Sequence, residues 1–143
     1  MLIALPLLAI PVVIYNIVIL FGGAGDGGMA QADAILRDPL FSVPMSSGAS
    51  WNVGVGDMIL FLSLVVLFVE LLKSTSSRKV AIINHALSMI LFVACLVEFL
   101  LIRGFATSTF FLISTMVMLD VLAGFIVTII AARKDFDFGG GAA

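Results

Sequence analysis

An all-α bundle of four membrane-spanning helices is the fold this sequence predicts, on three observations. Hydrophobic residues make up 62% of the 143 positions and charged residues only 11%, against ~25% charged in an ordinary soluble domain. The mean hydropathy is +1.29. The apolar residues gather in four stretches, each near the ~17–25 residues that a membrane helix needs. This composition excludes a disordered chain and a soluble globular enzyme. A net charge of −2, with no basic block longer than two residues, gives no surface for tracking phosphates, so nucleic acid is not an expected partner. Strict period-2 alternation is absent, which argues against a membrane β-barrel. The size allows one domain, residues 1–134, followed by a glycine-ending tail, 135–143.

The first helix is expected over residues 2–21. Ala30-Gln31-Ala32 resembles a signal-peptidase site, but no Lys or Arg precedes the apolar run, so the segment reads as a helix and not as a cleaved leader. Pro11 should kink it, unless the helix starts late enough to place Pro11 in the first turn. A long connection, 22–56, follows. Its opening run Gly22-Gly23-Ala24-Gly25-Asp26-Gly27-Gly28 is expected to hold no regular structure. Gln31–Arg37 can form a short helix stopped by Asp38-Pro39. Phe41, Met45 and Trp51 give this connection apolar side chains, and Trp51 is placed to anchor at headgroup level. So long a loop has two readings, an interfacial or re-entrant cap over the bundle and a docking surface for a partner.

The second helix, 57–73, is expected to start at a cap supplied by Asp57. Ser74-Thr75-Ser76-Ser77 is short enough to force an antiparallel hairpin into the third helix, 79–102, with Ser76 or Ser77 as its cap. A tight turn at Gly104 leads to the fourth helix, 106–132. There Thr107, Ser108 and Thr109 can cap it or bond back to its backbone. Lys73, Arg78, Lys79, Arg133 and Lys134 are five of the seven basic residues, and all fall on one side of a four-span chain. The positive-inside rule puts both termini in the cytoplasm and the loop 22–56 outside, in the periplasm of a Gram-negative host.

Charged residues within the apolar stretches are the sharpest functional signals, because each costs ~2.5–3.5 kcal/mol to insert. Glu70, one turn from Lys73, is expected at the cytoplasmic rim, solvated or paired. Asn84, Ser88, Cys95 and Glu98 form a narrow stripe on the third helix. Such a stripe marks a helix–helix contact face or lines a narrow aqueous path. Asp120 lies near the middle of the fourth stretch, where an unpaired carboxylate is costly. It should therefore be neutral or take a donor from Asn16, Tyr15, His85, Ser63 or Ser88. Gly124, Thr128 and Ala132 follow at four-residue steps, a small-residue series that invites a close neighbour. Asp120 thus reads either as a proton or cation site or as a packing residue. His85, the single histidine, is an ordinary hydrogen-bonding side chain or an axial ligand to a haem or chlorin. Cys95, alone in apolar surroundings, is expected to be unreactive.

No H-E-x-x-H, G-x-S-x-G, P-loop or C-x-x-C motif occurs, so no catalytic residue, metal site or cofactor is expected. The stretches Asn84–Met89, Ala106–Phe111 and Asp120–Phe125 resemble a family of small, uncharacterised bacterial inner-membrane proteins, over about residues 54–130. The resemblance implies a bacterial inner membrane and four helices, and it brings no activity. The role expected is a non-enzymatic membrane component, a homo-oligomer or an accessory subunit of a larger complex. The alternatives are a small ion or proton transporter using Asp120 and Glu98, or a pigment- or haem-associated subunit through His85.

Overall fold

The structure, a computed structural model, describes residues 5–73 and 78–139. The start of the first stretch, the Ser76 or Ser77 cap and the last residues of the tail lie outside the described residues. So do the side chains of Arg78, Lys79, Arg133 and Lys134, on which the orientation rests.

The chain is mostly helical. In order come α1 (Ala9–Phe21), α2 (Ala24–Gly27), α3 (Met29–Arg37), strands β1 (Pro39–Pro44) and β2 (Ser50–Gly54), α4 (Val55–Lys73), α5 (Arg78–Leu101), a 3-10 turn (Arg103–Phe105) and α6 (Ser108–Gly139). Three helices, α4, α5 and α6, are long and apolar enough to cross a membrane, whereas α1 is apolar but shorter. The late start of α1 makes Pro11 its third residue, where the backbone N–H would have no helical partner anyway, so no kink is required. α6 packs against both α5 and α4, and α1 lies along α4.

The helix starts follow from local chemistry. α4 begins two residues before Asp57, so Asp57 does not occupy the cap position expected of it. It sits in the first turn, where its carboxylate accepts the N–H of Gly54 at 2.9 Å, the returning half of a capping box. Thr107 caps α6 as expected, with its hydroxyl accepting the N–H of Phe110 at 3.2 Å. α6 continues through residues 133–139, beyond the predicted end at 132. At 32 residues it is ~48 Å long, well over the ~30 Å of a hydrocarbon core.

The long connection differs most from expectation. The glycine run contains a helical turn, α2, flanked by Gly23 and Gly28 with φ of 76° and 82°, conformations that side chains disfavour. The short helix is present as α3 and stops at Asp38, before Pro39. Residues 39–54 form an antiparallel hairpin that the sequence reading did not anticipate, with one extra residue, Leu40, at a register shift between Pro39 and Phe41. α2 and α3 pack on the Arg103–Phe105 turn, and α3 also meets the start of α4. The connection therefore caps one end of the helices, hereafter the loop end; the other is the Lys73 end.

Candidate functional site

The polar groups of the helices are brought together chiefly at the Lys73 end. Of the two states expected of Glu70, solvated or paired, the structure has the second: it is fully buried and pairs with Lys73 at 3.2 Å. Its Oε1 also accepts from Asn84 Nδ2 at 2.6 Å, and its Oε2 accepts the backbone N–H of Leu7 at 2.7 Å. Lys73 Nζ donates in addition to Asn84 Oδ1 at 3.1 Å and to the carbonyl of Leu5 at 2.5 Å. The three side chains close a ring in which the ammonium has three acceptors and the carboxylate three donors, the condition under which a buried ion pair is tolerated. α1 has no side-chain cap of its own. Glu70 supplies a negative group to its N-terminus from another helix, where the helix dipole favours one. The ring thereby ties α4, α5 and the chain leading into α1.

One turn further along α5, Ser88 donates to Asp120 Oδ2 on α6 at 2.6 Å, and both side chains are buried. Of the five donors considered for Asp120, Ser88 is the one bonded to it. Asn16 reaches Glu98 Oε2 at 3.2 Å, Tyr15 bonds Thr107 Oγ1 at 2.6 Å, and Ser63 bonds back to the carbonyl of Ile59 at 2.7 Å. His85 sits one turn from Ser88, against Gly124. A Cβ on that glycine would come within 2.7 Å of His85 Nδ1. This nitrogen is buried and has no hydrogen-bond partner among the described residues.

Thr128 on α6 is exposed in the single chain and donates to its own helix at the carbonyl of Gly124. The carbonyl of a residue four back is the partner a helical hydroxyl finds when no neighbouring helix offers one. Glu98 lies apart from Asp120. Glu98 is half-buried and bonded to α1. It lies ten residues from Ser88 along α5, or ~15 Å, whereas Asp120 is at Ser88 itself. The stripe Asn84, Ser88, Cys95 and Glu98 nevertheless faces neighbours throughout. Asn84 meets α4, Ser88 meets α6, Glu98 meets α1, and Cys95 is buried in the core.

The loop end is built differently. Tyr15, Phe105 and Phe110 are fully buried with ring centroids 4.7 to 5.4 Å apart. Gly104 lies so close to the Ala24 carbonyl oxygen that a Cβ would overlap it, Gly54 approaches the carbonyl of Leu36 in the same way, and a Cβ on Gly56 would be in tight contact with Thr109 Oγ1 and the Leu36 carbonyl. A polar cleft of about 370 Å³ opens here between α3, β2 and the first turns of α4 and α6, with Arg37, Asn52, Asp57 and Thr109 in its wall. Among the described residues, no three His, Cys, Asp or Glu side chains converge as a metal site would require. No family model, curated protein or solved structure matches this chain.

Proposed function

We propose that this chain is a non-enzymatic component of a bacterial inner membrane, and that it works as a self-associating or accessory subunit. It would cross the bilayer four times, with both termini cytoplasmic and residues 22–56 outside. The fourth crossing is supplied by residues 5–21. Leu7 bonds Glu70 at the Lys73 end, while Ile19 packs beside Gly104 at the loop end, so α1 and its lead-in run nearly the depth of α4. The observation that carries the reading is the state of the intramembrane ionisable groups. Glu70 with Lys73, Asp120, and Glu98 are each engaged by a partner within the chain, the first two one turn apart along α5 and Glu98 ~15 Å further on. Side chains that bond across elements in this way join helices, whereas a conduction path needs polar groups in succession, and no charged side chain lies on α5 between Ser88 and Glu98.

The test is the mass and composition of the particle purified in a mild detergent. An assembly larger than one chain, or a second chain copurifying in fixed ratio, is expected. A monodisperse single chain with no companion would overturn the subunit role. The orientation is checked separately with single cysteines at positions 47, 75 and 143 in a Cys95→Ala background, using an impermeant thiol reagent on intact cells. Position 47 should label, and 75 and 143 should not. A proton or cation pathway through Asp120 is the second reading. What favours it is Nδ1 of His85, which has no partner among the described residues and packs against Gly124, one turn along α6 from Asp120.

A further inference from the structure

We propose that the hairpin β1–β2 lies on the outer leaflet of the bilayer, with its apolar face in the headgroup–acyl boundary and its polar face toward water. The register divides it into two faces. Phe41 opposes Val53 and Val43 opposes Trp51, so these four share one side; Ser42 opposes Asn52 and Pro44 opposes Ser50 on the other. On the polar side the Ser42 hydroxyl donates to Asn52 Oδ1 at 2.5 Å. Of the apolar four only Val53 is buried, whereas Phe41 and Trp51 are 51% and 52% exposed. Leu40 and Met45 add two more exposed apolar side chains at the two ends of β1.

A two-stranded hairpin is marginal on its own in water, and an exposed apolar hairpin without charges invites aggregation. This one has no Asp, Glu, Lys or Arg anywhere from Pro39 to Gly56. The occupant that suits an uncharged, aromatic face here is lipid. β2 runs without a break into α4, where after Asp57 the first exposed apolar side chains, Met58 and Phe61, belong to the surface read as facing the hydrocarbon, so the hairpin adjoins that surface along the chain. α4 has 19 residues, ~28 Å, which matches the hydrocarbon thickness and sets its first turn at the boundary. Trp51 is four residues earlier, at most ~13 Å of extended chain from that boundary. An indole with its ring in acyl chains and its N–H among headgroups is the usual interfacial anchor. The proposal rests on the chain spanning a membrane; it is independent of whether the chain acts as a subunit.

Trp51 is the only tryptophan of the chain, so its fluorescence reads this face directly. The full chain would be reconstituted into phosphatidylcholine vesicles, and flotation with the vesicles would establish insertion. Failure to float would overturn the membrane reading and this proposal with it. In chains that do float, Trp51 emission should be blue-shifted, lose several-fold intensity with lipids brominated high on the acyl chain, and resist aqueous iodide. The variant W51F/N52W moves the reporter one residue, onto the polar face, and should give the reverse. Emission at Trp51 open to iodide and indifferent to brominated lipid would overturn the proposal. So would shielding from both quenchers, which would mean that protein, this chain or a second copy, covers the face. Equal lipid quenching at positions 51 and 52 would overturn the two-faced arrangement.

Discussion

The two ends of this helix bundle are held by different physics. At the Lys73 end the helices are joined by directed polar contacts: the ring of Glu70, Lys73 and Asn84, then the Ser88–Asp120 bond. At the loop end they are joined by shape, through the edge-on and tilted rings of Tyr15, Phe105 and Phe110 and the backbone contacts at Gly54, Gly56 and Gly104. Apolar packing gives little advantage to helix association in lipid, because acyl chains are as apolar as leucine. Either hydrogen bonds or close backbone approach must supply the specificity. This chain relies chiefly on the first device at the Lys73 end and on the second at the loop end, where Tyr15–Thr107 and Asn16–Glu98 add polar contacts. The first should fail when a charge is stranded, and the second when a methyl group is added.

The largest effect is expected at Glu70. Glu70→Leu leaves Lys73 without its counter-charge and the Leu7 N–H without its acceptor, and breaking a buried pair from one side costs ~3–5 kcal/mol. Thermal unfolding in detergent should show a large loss, with the segment before α1 becoming protease-sensitive. Adding Lys73→Met to the same chain removes the stranded charge and should recover much of the loss. A Glu70→Leu protein as stable as the parent would show that the ring contributes little to holding that end.

At the loop end, Gly104→Ala is the matching perturbation. Its new methyl meets a backbone carbonyl, that of Ala24, which moves only if α2 moves. The cost of such overpacking is ~1–3 kcal/mol. The unfolding midpoint should fall by less than in Glu70→Leu, and any new protease cleavage should appear in residues 22–38 and not before α1. Cleavage before α1 would mean that the two ends are coupled and the contrast between them fails.

How much of this was legible in the sequence depends on whether a signal is local or paired. The long helices, the Thr107 cap, the stop at Asp38-Pro39 and the Glu70–Lys73 pair arise within a few residues of chain, and the sequence displays them. The hairpin was not seen, because its strands are short, Pro39 and Pro44 bound β1, and the alternation is broken at Leu40 by the register shift. Its amphipathic character appears only once Val43 is placed opposite Trp51. Glu70 looked like a rim residue because its spacing to Lys73 is visible, whereas Asn84 and Leu7 reach it from 14 and 63 residues away. Asp120 was recognised as needing a donor, but five candidates fitted the helix pattern, and only the packing of α5 on α6 selects Ser88.

Gly124→Ala sharpens the contrast from the Lys73 side. The atoms met there belong to the His85 side chain, Nδ1 nearest, in place of a fixed backbone carbonyl. The expected cost is about 1 kcal/mol or less, below that of Gly104→Ala. The two variants should be compared in one unfolding assay. If Gly124→Ala proved the more damaging, α5 and α6 would be joined by backbone proximity too, and the Lys73 end would no longer differ in kind.

The smallest structural effect is expected at Asp120, and it bears most on function. Asp120→Asn keeps the side-chain shape and leaves an amide oxygen that can accept the Ser88 hydroxyl, so the α5–α6 contact survives. Stability should change by no more than about 1 kcal/mol, the usual net worth of one hydrogen bond. If Asp120 only joins helices, the particle keeps its mass and partners, and neither parent nor variant moves ions in proteoliposomes. If Asp120 carries a proton or cation, the parent shows a flux and the variant loses it at unchanged assembly, because the amide cannot ionise. Ser88→Ala separates the two further. It strands the carboxylate's partner site without removing the charge. A joining role predicts a loss of stability comparable to one buried hydrogen bond, ~1–3 kcal/mol, whereas a transport role predicts a shifted pH dependence of flux at near-normal stability. Parent flux abolished by Asp120→Asn would replace the subunit reading with the transport one.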